Sequence, residues 1–164
     1  MSYDFGIYAT NSAVLLMVSP PIALTALAFD FGLRSIGIAY GQSLTGSAQP
    51  LTPIKAKDGI PDWQLTEQII EVWRPAVVVV GLPLNMDDSE SELSRRARKF
   101  GNRVNGRFGQ LFGFKLEFMD ERLTSFAAKQ DAKERGHKGN YKKEPIDSFA
   151  AQLILEDWFR ASSS

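Results

Sequence analysis

Apolar and polar positions follow one another along the chain in a pattern that changes period several times. Leu24 to Asp30 (L-T-A-L-A-F-D) reads as a buried strand ending in a carboxylate, with Phe31-Gly32 opening a turn. Ser35 to Tyr40 and Ala48 to Ile54 read as two further strands, making an antiparallel meander with turns at Gly41 and Gly46. Asp62 to Trp73 reads as a helix with an Asp cap. Leu65, Ile69, Val72 and Trp73 at helical spacing form its apolar face, and Arg74-Pro75 stops it. Ala76 to Val80 ends in four consecutive valines, which suit a strand covered on both faces, as in a parallel sheet. Gly81-Leu82-Pro83 closes that strand, and Ser89-x-x-Glu92 has capping-box spacing for a helix burying Leu93, Ala97, Phe100, Val104 and Phe108. Lys115 to Met119 is a fifth strand, with Asp120-Glu121-Arg122 at its end. A helix from Ser125 to Arg135 closes at Gly136, a basic loop runs from His137 to Lys143, and Pro145 opens a last helix to Phe159. Its inward residues are Ile146, Phe149, Ala150, Leu153, Ile154 and Trp158. The order βββαβαβαα implies an α/β domain with one mixed five-stranded sheet and helices on both faces.

Residues 13–29 are uncharged and mostly apolar, which raises the question of a signal peptide or membrane anchor. The preceding residues hold no Lys or Arg for a positive leader, Pro20-Pro21 interrupts the run, and its second half is the first strand. The expectation is a poorly ordered extension over 1–22 in which Met17 is an alternative start, a single domain over 23–160, and a flexible tail over 161–164. No membrane role and a cytoplasmic location go with it.

Composition narrows the chemistry. The 164 residues include no Cys and one His, His137, which removes disulfides, thiolate nucleophiles and zinc sites built from Cys or several His. Catalysis is left to carboxylates, hydroxyls, Lys, Arg or that His, and any metal held by several residues would be a hard, oxygen-ligated ion. Three acids stand where an element end would ordinarily be neutral or apolar. Asp30 ends the first strand, Glu121 with Asp120 ends the fifth, and Asp147 lies in the first turn of the last helix. Each alone is explained by turn capping or the helix dipole. Together they converge, because the carboxyl ends of strands in an open sheet meet at one crevice. Three carboxylates in close proximity repel unless a cation neutralises them, and Mg²⁺ or Mn²⁺ suits such oxygens. A pair of such ions ~4 Å apart can activate water and stabilise the leaving oxygen of a phosphodiester.

The stretches F-D-F-G-L-R-S-I-G-I-A (29–39), V-V-G-L-P-L-N-M-D (79–87), R-A-R-K-F (96–100), D-E-R-L-T (120–124) and I-D-S-F-A-A-Q-L-I-L (146–155) resemble, in that order, the YqgF/RuvX family. The similarity runs from Leu27 to Phe159. It implies an RNase H-like fold and a bacterial nuclease, assigned in that family to 5′-end maturation of pre-16S rRNA or to resolution of Holliday junctions. Carried over by position, it makes Asp30 the first-strand metal ligand, Asp147 the final-helix ligand and Glu121 the middle acid, with Asp120 as the alternative. Successive strand residues face opposite ways, so Asp120 and Glu121 are not expected to serve together. Relatives of the RuvC type carry an acid after the fourth strand, where this chain has Gly81-Leu82-Pro83. Asp88 and Pro145 also depart from the family pattern, the latter replacing a Lys and leaving Lys142 and Lys143 as cations near Asp147.

Acids and bases number 19 each, which at first disfavours a nucleic-acid partner. Their distribution reverses that: net charge is −6 over residues 1–94, +9 over 95–143 and −3 over 144–164. Arg96, Lys99, Arg103 and Arg107 form a cationic stripe along one predicted helix, Lys133, Arg135, His137, Lys138, Lys142 and Lys143 form a second cluster leading to Asp147, and Arg122 follows the fifth strand as a further candidate contact. Such groups hold backbone phosphates, although a charged helix face is also an ordinary solvated surface. Arg34 is either a phosphate contact or a turn residue paired with an acid. The expected protein is a metal-dependent endonuclease on structured nucleic acid, with pre-rRNA preferred over a four-way DNA junction. It would work as a monomer or homodimer, with ribosome precursors as possible partners. A non-catalytic nucleic-acid-binding module of the same fold is the alternative.

Overall fold

The computed structural model describes residues 23–85, 87, 89–121 and 146–163. Six strands form one mixed sheet: β1 (Thr25–Asp30), β2 (Ser35–Gln42), β3 (Ser47–Lys57), β4 (Ile60–Pro61), β5 (Val77–Leu82) and β6 (Lys115–Asp120). Their spatial order is β4-β3-β2-β1-β5-β6. The β1 to β4 pairings are antiparallel, while β1–β5 and β5–β6 are parallel. The helices are α1 (Trp63–Trp73), α2 (Glu92–Val104), a π-helical turn (Asn105–Gly109) leading into the short α3 (Gln110–Phe112), and α4 (Ile146–Ser162).

Alternation along the strands builds two cores. Leu27 and Phe29 of β1, Ile36 and Ile38 of β2 and Val78, Val80 and Leu82 of β5 pack with Ile70, Ala97, Phe100 and Val104 of α1 and α2. The intervening residues Ala26, Ala28, Ala39, Val77, Val79 and Met119 pack on the other face against Ala151, Ile154, Leu155 and Trp158 of α4. Ala26, Ala28 and Ala39 on the sheet and Ala151 on the helix are the small residues of that second interface, and they let α4 lie close to β1 and β2. Helices therefore cover both faces, and all six β5 positions are buried, as four valines in a row require.

Several local expectations change. The sheet has a sixth strand because Asp58-Gly59 turns the chain through two residues with positive φ, 51° and 79°, pairing Lys57 with Ile60. This is the two-residue hairpin geometry that an Asp-Gly pair favours. Gly41 lies within β2 and only Gly46 (φ 64°) sits in the turn. Helix α1 begins after its Asp62 cap, whose carboxylate accepts from the backbone N–H groups of Gln64 and Leu65. Its buried residues are Thr66 and Ile70; of the predicted face, Ile69 and Trp73 pack on the first core, while Leu65 and Val72 are exposed, so the inward face is shifted towards Thr66 and Ile70. Trp63, at the start of the helix, packs on the same core. In α2, Leu93 is exposed and Ser94 buried; Ser91, not Ser89, is the N-cap and accepts from the Ser94 N–H at 3.0 Å. Ser89 instead closes the preceding loop, donating its backbone N–H to Asp87. The predicted extension over 1–22 and helix over Ser125–Arg135 lie outside the described residues, as does the basic loop over 137–143. Among the described residues no helix is long and apolar enough to cross a membrane.

Candidate active site

The topology carries three of the singled-out segments to one edge of the sheet. β1, β5 and β6 run parallel, so their carboxyl ends lie together. Phe29 is level with Val80, and Val80 with Phe118; one step further, Asp30 comes beside Gly81. By strand alternation Asp30 shares the face of Ala26 and Ala28, which is the α4 face, and it is half-buried there.

Glu121 follows β6 and turns its carboxyl group back over β5. A Cβ built on Gly81 would stand 2.3 Å from Glu121 Oε1 and 2.7 Å from Ile154 Cδ1 of α4. Gly81 is therefore the gap in which the Glu121 carboxylate and the Ile154 side chain meet the sheet, on the same face as Asp30. The same alternation turns Asp120, level with Leu82, towards the opposite core with Leu116 and Phe118. Burial, aided by the negative charge of Asp120, raises the Glu121 pKa from 4.5 to about 7.

Asp147 lies in the first turn of α4, and its side chain is outside the description. Its neighbour is well anchored: Ser148 Oγ donates to the Leu51 carbonyl, and Gln152 Nε2 donates to the Ala48 carbonyl at 3.0 Å. Leu51 is level with Ile38, and Ile38 with Phe29, so the first turn of α4 stands over the row that precedes Asp30. Among the described residues no group of three or more acidic or His side chains is arranged to hold a metal ion. The described carboxylates of the site on this face are those of Asp30 and Glu121.

The basic residues separate into different environments. Arg34 is exposed in the β1–β2 turn, where its carbonyl accepts from the Ala56 N–H. Arg96 donates to the Asp58 carbonyl at 2.8 Å and pairs with its carboxylate at 3.2 Å, tying α2 to the β3–β4 hairpin. Lys99 and Arg103 are exposed on the same helix, and the Arg107 guanidinium lies 4.3 Å from the Trp63 ring centroid. Arg107 thus lies over an aromatic ring, on the π-helical turn that follows α2. Arg122, Lys138, Lys142 and Lys143 lie outside the described residues, as does Asp88. Asp87 caps its own loop through Ser89.

A family model described as RuvX, Holliday junction resolvase, matches residues 24–161. The chain belongs to the RuvX family. RuvX relatives from Chromohalobacter salexigens and Saccharophagus degradans are each 56% identical, over 133 and 136 residues. The matches cover 81% and 83% of this chain and 87% and 93% of theirs; both relatives carry the name "Putative pre-16S rRNA nuclease". Among solved structures, the Thermus thermophilus RuvC complex with a Holliday junction substrate is 15% identical with a TM-score of 0.55, covering 86% of this chain and 96% of that one. The yeast mitochondrial Holliday junction resolvase is 12% identical with a TM-score of 0.51, over 93% and 85%. These likenesses show the RNase H-like fold. Within this RuvX chain, the sequence marks Gly81 as a strand end and as the place of a missing acid. Its further role, leaving room for the Glu121 carboxylate, needed the pairing of β5 with β6 to become visible.

Proposed function

We propose that the chain is a divalent-metal-dependent endonuclease that hydrolyses phosphodiester bonds in structured nucleic acid, with the 5′ end of pre-16S rRNA as its substrate. The observation that carries this reading is the pair Asp30 and Glu121 on one face at the carboxyl edge of the sheet, beneath the first turn of α4 that holds Asp147. Asp30, Glu121 and Asp147 would hold Mg²⁺ or Mn²⁺, with Asp120 turned away. Two features support the fit. The donors are all hard oxygens, and the missing Cβ of Gly81 leaves the Glu121 carboxyl room beside Asp30. When bound, the ion would supply Lewis-acid stabilisation of the phosphate and a more acidic water.

The chain's own groups prepare that site. The half-buried Glu121 carboxyl resists ionisation in the absence of a counter-charge, so a bound cation would favour its ionised form. Ser148 and Gln152 fix the angle at which α4 meets the sheet, and so the position of Asp147. Arg34, four residues beyond Asp30 in an exposed turn, would neutralise a phosphate approaching the edge. Arg122, Lys142 and Lys143 are assigned the same task from the sequence alone.

Resolution of four-way DNA junctions is the second reading, favoured by the family description and by the fold shared with RuvC. Incubating a 5′-extended 16S precursor and a synthetic junction with Mg²⁺, Mn²⁺ or EDTA separates the two. Metal-dependent cutting of the precursor that is lost in Asp30→Asn and Asp147→Asn is expected. Cutting of the junction alone would replace the substrate, and cutting that survives both substitutions would refute the site.

A further inference from the structure

The sheet face opposite Asp30 carries a second feature at the same edge. Phe31, the next residue, points into the first core and forms one wall of a cavity of about 190 Å³. Ile60 and Trp63 form other walls, and Arg96, Lys99 and Arg103 stand around it. The cavity is a product of three long-range contacts. The Asp58-Gly59 turn brings the hairpin tip onto Phe31, so closely that a Cβ on Gly59 would stand 2.7 Å from its Cζ. Arg96 locks the hairpin to α2 through Asp58. Arg107 holds the Trp63 ring from outside the cavity.

Its chemistry is asymmetric. One acid, Asp58, is already paired with Arg96, and among the described residues no ion pair engages Lys99 or Arg103. Two cations are thus left at the rim of a cavity with aromatic and aliphatic walls, one of which, Ile60, is 51% exposed. The volume is below the ~300–1,000 Å³ of sites for drug-sized ligands, so it suits a single planar ring rather than a whole nucleotide or a folded element. Flat rings and adjacent negative charge occur together in an unpaired nucleotide, whose base meets an apolar wall while its phosphates meet Lys and Arg.

We propose that this cavity is a binding subsite for one unpaired nucleotide of the nucleic-acid substrate, its base among Phe31, Ile60 and Trp63 and its flanking phosphates on Lys99 and Arg103. The inference rests on the proposed nuclease function for the identity of the ligand and adds where a single-stranded flank is held. Because Asp30 and Phe31 are consecutive, a strand leaving the carboxylate face around the sheet edge passes directly to this cavity. Duplex would not fit, so the subsite would select substrates with unpaired nucleotides beside the cut.

The test is binding in EDTA, where no cutting interferes, of a fluorescein-labelled oligouridine to wild type and to the double variant Lys99→Ala, Arg103→Ala. Both replaced side chains are exposed, so folding is retained, which circular dichroism checks. Each lost phosphate contact on a single strand lowers the slope of log K against log salt by ~0.7, so the double variant's slope should be shallower by about 1.4. Photo-crosslinking with 5-iodouridine should label Trp63 or Phe31. An unchanged salt slope would overturn the proposal, as would crosslinks confined to other residues. Uridine monophosphate binding as tightly as the oligonucleotide would also overturn it, because the subsite would then serve a free nucleotide. Wild type that binds in this way but fails to cut in the metal assay would refute the nuclease reading and leave the subsite standing.

Discussion

Replacing Glu121 with Gln should stabilise the protein at neutral and alkaline pH while changing its stability little in acid. Glu121 has its folded-state pKa raised from 4.5 to about 7, first by burial and then by the charge of Asp120. Below pH 4.5 the carboxyl is protonated in both folded and unfolded chains and costs nothing. Between pH 4.5 and 7 the unfolded chain releases the proton and the folded chain keeps it, so folding stability falls as pH rises. At ~1.36 kcal/mol per pH unit, the full loss is about 3 kcal/mol at most once pH exceeds the folded value. Gln keeps the shape of the neutral acid without titrating. Urea unfolding in EDTA at several pH values from 4.5 to 8.5 should therefore show the variant gaining on wild type progressively, with the gap levelling above pH 7. Excess Mn²⁺ should narrow that gap by favouring the ionised carboxylate. A difference between the two proteins that is independent of pH would show that Glu121 does not titrate differently in the folded and unfolded chains.

Gly81→Ala should cost ~1–3 kcal/mol in urea unfolding and lower nuclease activity at least tenfold, since its Cβ would stand 2.3 Å from Glu121 Oε1 and 2.7 Å from Ile154 Cδ1. Unchanged activity would show that the position of the Glu121 carboxyl is immaterial. Asp62→Ala should remove the cap of α1 and destabilise the fold by ~0.5–2 kcal/mol, with cleavage per folded molecule unaltered. Gly59→Ala forces a side chain into the left-handed region at φ 79° and against Phe31, so a loss of ~1–2 kcal/mol is expected from the backbone term alone.

The order of elements was legible because each strand carried its own pattern, most plainly the four valines of β5 and the alternation that ends at Asp30. What local pattern could not convey was rotation and pairing. Apolar spacing in α1 put Leu65, Ile69, Val72 and Trp73 inward; Ile69 and Trp73 do pack on the core, but Thr66 and Ile70 take the buried positions and Leu65 and Val72 are exposed. The β4 hairpin was signalled by Asp58-Gly59, but two residues of strand give no periodicity to read. At the site, strand alternation already separated Asp120 from Glu121, and the position of the Glu121 carboxyl against Gly81 is in keeping with that separation. Helical spacing put Arg96, Lys99, Arg103 and Arg107 on one cationic stripe. In three dimensions Arg96 is a tie to the hairpin, Arg107 covers Trp63, and Lys99 with Arg103 remain at a cavity that no spacing rule would reveal.

In the proposed site, carboxylates from β1, the end of β6 and the start of α4 would together hold a divalent ion. Mn²⁺ binding, followed by electron paramagnetic resonance on wild type and on Asp30→Asn, Glu121→Gln and Asp147→Asn, tests it without relying on any substrate. Saturable binding by wild type, weakened at least tenfold by each substitution, is the predicted result. Binding that all three variants retain at wild-type strength would contradict the account.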